Sequence, residues 1–164
     1  MSELNPTFPA DVKSVAAPEA SLRGVKVLVV EDNEDNSYLI SMYLGKTGCQ
    51  LDFARNGNEA IAKFKELSPD IILMDLKMPG MDGFSATSWI RLLEKDLPTK
   101  SVILALTAFS ARLEEARCIE AGCDGILTKP IRKATLISSM LSFLAQRFTA
   151  NSSNDERNIS HNHS

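Results

Sequence analysis

Three short runs, Val25–Val30, Ile71–Met74 and Val102–Leu106, are almost continuously apolar. A strand with one solvated face alternates apolar and polar residues. A strand apolar throughout is buried on both faces, as in a parallel sheet covered by helices on either side. Two weaker runs, Leu51–Ala54 and Gly125–Leu127, complete a set of five predicted strands. The segments between them read as helices. Asn33 and Asn56 are good N-caps, and Asn56 followed by Glu59 has the form of a capping box. Leu136, Ile137, Met140, Leu141, Leu144 and Phe148 fall on one side of a final helix. Gly48 and Gly122 stand where a left-handed stop residue belongs. Five strands alternating with five helices predict an α/β, doubly wound domain with a five-stranded parallel sheet.

The domain is expected over residues 24–148. Residues 1–23 contain Pro6, Pro9 and Pro18 and no sustained periodicity. Residues 149–164 are rich in Asn and Ser and hold one large aliphatic residue, Ile159. Both segments are expected to lack fixed structure, and His161 and His163 read as solvated residues, not metal ligands. The segment after Phe148 is too short for a helix-turn-helix or a catalytic domain, so direct DNA binding is not expected and signalling would run through a partner protein. The net charge of −3 supplies no basic field for nucleic acid. Cys49, Cys118 and Cys123 match no metal or redox spacing and read as small thiols in a reducing compartment. The apolar runs are far too short to span a bilayer, so a cytoplasmic protein without membrane attachment is expected.

In a doubly wound fold, ligands bind beyond the carboxyl ends of the strands. Glu31 and Asp32 end the first predicted strand, Asp75 the third, Thr107 the fourth and Lys129 the fifth. Taken singly, each is unremarkable: an acidic residue at a strand end is usually a cap, a threonine a terminal hydroxyl, a lysine a solvated charge. Their arrival on one rim is what carries weight. Carboxylates about 4 Å apart at an effective dielectric of about 20 repel by about 4 kcal/mol per pair. Such a group either keeps a proton or takes a cation, and hard divalent ions such as Mg2+ favour oxygen donors. Asp75 then has the chemistry of a nucleophile toward phosphorus. Lys129 and the metal would offset phosphoryl charge, and the Thr107 hydroxyl would hydrogen-bond a phosphoryl oxygen.

Four segments carry a family resemblance: Val27-Leu-Val-Val-Glu-Asp-Asn33, Asp70-Ile-Ile-Leu-Met-Asp-Leu-Lys-Met-Pro-Gly-Met-Asp-Gly83, Ala105-Leu-Thr-Ala108 and Ala121-Gly-Cys-Asp-Gly-Ile-Leu-Thr-Lys-Pro130. Together they resemble the receiver domain of two-component response regulators, and Glu31–Asn36 resembles the receivers attached to hybrid histidine kinases. The resemblance implies a flavodoxin-like sheet in the order 2-1-3-4-5. It implies Asp75 as phosphoacceptor, with a histidine kinase or histidine phosphotransfer protein as donor and a further protein, not identified by the sequence, downstream. It implies Mg2+ held by Asp32, Asp75 and the Lys77 backbone carbonyl, with Glu31 acting through a water. Thr107 and Lys129 would engage the phosphoryl group, Pro79 and Gly83 would shape the loop after the third strand, and Lys129–Pro130 would be cis. Many receivers carry Tyr or Phe where this chain has Ile126, and that residue's rotamer accompanies activation. Ile126 is expected instead to pack under the last helix. Lys77 and Phe109 occupy positions that control water access in this family, and the bulk of Phe109 predicts slow self-dephosphorylation.

Two other classes compete. A phosphatase of the haloacid-dehalogenase type also uses an aspartyl nucleophile, but it requires a second Asp where this chain has Lys77; the chain is accordingly not read as an enzyme beyond its own phosphorylation and dephosphorylation. A receiver-like interaction module that is never phosphorylated has no need for Asp32, Asp75, Thr107 and Lys129 together.

Overall fold

The computed structural model describes residues 21–108 and 112–159. Five strands, β1 (Lys26–Val30), β2 (Gln50–Ala54), β3 (Ile71–Asp75), β4 (Val102–Thr107) and β5 (Gly125–Thr128), form one parallel sheet in the order β2-β1-β3-β4-β5. The helices between and after them are α1 (Glu34–Leu44), α2 (Gly57–Leu67), α3 (Gly83–Leu93), α4 (Arg112–Ala121) and α5 (Lys133–Ile159), with a 3-10 turn at Glu94–Asp96. This is the doubly wound, flavodoxin-like architecture expected from the sequence.

The apolar runs are buried on both faces because alternate residues enter different cores. Val27, Val29, Ile71, Leu73, Leu104 and Leu106 join Ile40, Leu44, Leu136, Met140 and Leu144 beneath α1 and α5. Leu28, Val30, Ile72, Met74 and Ile103 join Ala60, Phe64, Ala86 and Ile90 beneath α2 and α3. Burying a large aliphatic side chain fully stabilises by about 1.5–3 kcal/mol. The three central strands thus fix the sheet, and with it the line along which β1, β3 and β4 end.

Local signals place the helices. Asn33 accepts from Asn36 N at 3.0 Å and caps α1. Asn56 accepts from Glu59 N at 2.9 Å and caps α2, while Glu59 reaches back to the Arg55 amide at 2.8 Å. Asp82 accepts from Ser85 N at 2.8 Å and caps α3. Gly48 and Gly122 have φ of 84° and 106°, the left-handed region in which a side chain is strained.

Three expectations are corrected. Leu22 is 2% exposed and belongs to the core shared by α1 and α5, so ordered structure begins within the segment read as an unstructured leader. Its carbonyl accepts from Val25 N at 3.0 Å, which ties the approach to β1. At the other end, α5 runs to Ile159, through residues expected to lack fixed structure. Nothing between Ala150 and Ile159 is Pro or Gly, and adding residues to an established helix is far easier than nucleating one. Ile126 does not pack under the last helix. It sits with Leu76, Ala105 and Cys118, beside Phe84 and Cys123, on the α4 side of the sheet, while its neighbour Leu127 faces the α5 core. Phe109, His161 and His163 lie outside the described residues. Among the described residues, no helix is long and apolar enough to cross a membrane.

Candidate functional site

The rim at the carboxyl ends of β1, β3, β4 and β5 gathers the acidic residues and the lysine. Carboxylate oxygens of Glu31, Asp32 and Asp75 lie within 4.8 Å of one another. Glu31 and Asp75 are 2% and 4% exposed, whereas Asp32 is exposed. Lys129 reaches in from β5: its Nζ is 2.9 Å from Glu31 Oε2 and 3.4 Å from Asp75 Oδ1. The Lys77 amide donates to Asp75 Oδ1 at 3.2 Å. Lys129 N donates to Thr107 O at 2.7 Å, which joins β5 to the end of β4, and the Lys129–Pro130 bond is cis.

The electrostatics follow from this crowding. Burial, then the negative charge of Glu31, pushes the Asp75 carboxyl from 3.8 up to about 7, against the pull of Lys129 and the Lys77 amide. Burial is the largest single influence on Lys129 and works against its charge, but the hydrogen bond to Glu31 and the charge of Asp75 outweigh it, and its pKa is raised. Asp75 is thus a carboxyl that lacks enough nearby positive charge to be fully ionised at neutral pH. The all-oxygen donor set, with one member open to solvent, fits a hard divalent cation.

The loop after β3 is built for close approach. A Cβ on Gly83 would strike the Asp75 carbonyl oxygen and Leu76 Cα, both backbone atoms. Only glycine lets the start of α3 pack against the end of β3, and Gly83 N donates to Leu76 O at 3.1 Å. Gly80 turns the chain after Pro79 with φ of 79°.

The structure therefore brings together Glu31, Asp32, Asp75, the Lys77 amide and Lys129, with the Thr107 hydroxyl at the neighbouring strand end. Two further residues join them. Asn36, in the first turn of α1, donates its side-chain amide to Glu31 Oε1 at 3.4 Å, beside the Asn33 amide at 3.3 Å. Glu114, on α4, accepts from the Thr107 hydroxyl at 2.6 Å and lies 3.8 Å from Lys77 Nζ. The asparagine had a signal in the likeness of Glu31–Asn36 to receivers of hybrid histidine kinases; the glutamate had none.

A family model described as the response regulator receiver domain matches residues 27–141. The chain belongs to this family. The receiver is 39% identical over 139 residues to hybrid signal transduction histidine kinase B of Dictyostelium discoideum, covering 79% of this chain but only 7% of that kinase's length. It is similar in structure to the receiver domain of Ssk1 from Saccharomyces cerevisiae, solved with the histidine phosphotransfer signalling protein Ypd1. That match has a TM-score of 0.66 and 32% identity, over 70% of this chain and 85% of the other. It is equally similar to the receiver domain of sensor histidine kinase PA1611 from Pseudomonas aeruginosa PAO1, which holds a magnesium ion in its active-site cleft. Here the TM-score is 0.67 and the identity 32%, over 74% of this chain and 98% of that one.

Proposed function

We propose that this receiver accepts a phosphoryl group on Asp75 from the phosphohistidine of a histidine kinase or histidine phosphotransfer protein, and passes the signal on by protein contact. The observation that carries the reading is the surroundings of Asp75 Oδ1: Lys129 Nζ at 3.4 Å, the Lys77 amide at 3.2 Å, and two further carboxylates within 4.8 Å. An Asp75 oxygen attacks phosphorus, the new O–P bond forms as the N–P bond breaks, and the electron pair of that bond stays on the imidazole nitrogen. Asp32, Asp75 and the Lys77 backbone carbonyl would hold Mg2+, with Glu31 supporting it through a water. When bound, Mg2+ supplies positive charge that offsets the carboxylates and the phosphoryl oxygens. Lys129, already between Glu31 and Asp75, moves its charge toward the phosphoryl group, and the Thr107 hydroxyl donates to a phosphoryl oxygen. The nucleophile must be ionised, and burial beside Glu31 holds Asp75 near half-protonation at pH 7; a bound divalent cation would favour the ionised form.

The donor must bring its imidazole to this rim, and α1, which starts just beyond Asp32, offers a surface for it. Tyr38, Leu39 and Met42 are 68%, 40% and 60% exposed there. Leu39 also lines a small hollow with Tyr43, Pro130 and Ile131 next to Lys129. A cytoplasmic setting is supported by three free cysteines.

Incubation with a phosphorylated phosphotransfer protein and Mg2+ tests the proposal. Label on this chain should be an acyl phosphate, lost in alkali, whereas the donor's phosphohistidine is lost in acid and kept in alkali. Asp75→Asn should abolish it; labelling of that variant at the wild-type level refutes the assignment. Met42→Glu should slow transfer from the protein donor more than labelling by acetyl phosphate.

A further inference from the structure

Glu114 belongs to none of the roles assigned above, yet its carboxylate sits at the edge of the site. It stands in the first turn of α4, and its side chain is 18% exposed. Glu114 Oε2 takes the hydrogen of Thr107 Oγ1 at 2.6 Å, and Thr107 itself is 3% exposed. A threonine hydroxyl has one proton to donate. An ionised carboxylate and a phosphoryl oxygen are both acceptors only, so the hydroxyl serves one or the other. The Lys77 ammonium, 3.8 Å from Glu114 Oε1 with its own side chain 62% exposed, is too solvated to hold the carboxylate by itself.

We propose that Glu114 is a latch on Thr107: phosphorylation of Asp75 must break the Thr107–Glu114 hydrogen bond, and its release frees the first turn of α4 as the segment that reports the phosphorylated state. The inference rests on the reading of Asp75 as phosphoacceptor. A phosphoryl group adds about 1.5 to 2 negative charges and strong acceptor oxygens. It competes for the Thr107 proton and at the same time repels the Glu114 carboxylate, so both effects drive Glu114 outward. Movement is confined to the start of α4, because further along the helix Cys118 is 1% exposed against Leu76 and Ala105. The device needs no aromatic side chain at Ile126. Glu114 is a positioning residue in this scheme: it holds the Thr107 hydroxyl away from Asp75 until the phosphoryl group arrives.

Glu114→Gln keeps the shape and removes the charged acceptor: its amide either donates to Thr107 Oγ1 or accepts as a weaker, neutral oxygen, and in both cases the hydroxyl proton is easier to release. Beryllofluoride, an acceptor that stands in for the phosphoryl group, is titrated with Mg2+ by calorimetry into wild type, Glu114→Gln, Thr107→Ala and the double variant. The expected result is at least fivefold tighter binding in Glu114→Gln, and less than a twofold effect of the same exchange in the Thr107→Ala background. Wild-type binding with no gain in Glu114→Gln overturns the latch alone, as does an equal gain in both backgrounds, which is plain charge removal. Absence of binding by wild type overturns the phosphoacceptor reading and the latch with it. Amide hydrogen exchange gives a second readout in the wild-type chain: Glu114 to Cys118 should lose protection when beryllofluoride binds, and unchanged protection there also overturns the latch.

Discussion

Asp75→Asn should make the metal-free protein more stable, and the gain should depend on pH in a defined way. In the folded protein the Asp75 carboxyl is pushed to about 7 by burial and by Glu31; in the unfolded chain it returns to about 3.9. Between these values the folded state binds a proton that the unfolded state does not. Stability from this group is therefore complete below about pH 4 and is lost as pH rises through 7. Each pH unit is worth about 1.4 kcal/mol, so a difference of about three units sets a ceiling of about 4 kcal/mol. An Asn amide mimics the protonated carboxyl and does not titrate. Urea unfolding in a chelating buffer should show near-equal stabilities at pH 4, a gap that widens to pH 7, and a plateau above it. Mg2+ should then raise wild type above this baseline, by about 2.7 kcal/mol at a hundredfold excess over its dissociation constant, with a smaller effect on Asp75→Asn. Equal stabilities of the two proteins at pH 8 without divalent ions would refute the electrostatic account of the site.

Arg91 ties the far end of the sheet together: it donates to Gly122 O, Glu94 Oε2, Ser101 O and Asp124 Oδ2 at 2.7–2.8 Å, and Glu94 is 1% exposed. Arg91→Ala should cost about 3–5 kcal/mol in urea unfolding by leaving Glu94 buried without its cation, and Arg91→Ala with Glu94→Ala should cost less than the sum of the two. Gly83→Ala should lower stability by about 1–3 kcal/mol and weaken beryllofluoride binding, because the new methyl meets Asp75 and Leu76 backbone; wild-type affinity would show that the end of β3 yields freely. Burial raises the thiol pKa of Cys118 and pushes Cys123 up to about 12. Iodoacetamide at pH 8 should therefore modify Cys49 before either of them, as read by mass spectrometry of the native protein; Cys123 reacting as fast as Cys49 would contradict this.

What the sequence disclosed, and what it withheld, follows from the range of each interaction. The strands lie within a residue of the apolar runs, because a strand buried on both faces has no freedom to be polar. Asn33, Asn56, Gly48 and Gly122 were legible because caps and left-handed stops act within one turn of chain. The left-handed end of α2 was not, since Ser68 with φ of 46° occupies a place where glycine is the usual sign. The facing of Ile126 was closed to inspection for another reason. A four-residue strand has a parity, but only pairing with β4, which sets Ile126 against Ala105 and Leu127 against Leu106, says which parity meets which core.

The same distinction separates the two halves of the functional site. Asp32, Asp75 and Lys129 share a rim because strand ends in a parallel sheet must align, so topology alone brings Lys129 to Glu31 across 98 positions of sequence. The Thr107–Glu114 contact spans only seven positions but depends on how the chain leaves β4 and enters α4. No periodicity reports that path. A carboxylate there reads in sequence as an ordinary acidic residue near a helix N-terminus, favourable to the helix dipole and common for that reason alone. In the structure it occupies the one proton that Thr107 can offer. Glu114 thus links the chemistry of the rim to the first turn of a helix, a connection that the motif residues, all held at strand ends in a rigid sheet, do not themselves make.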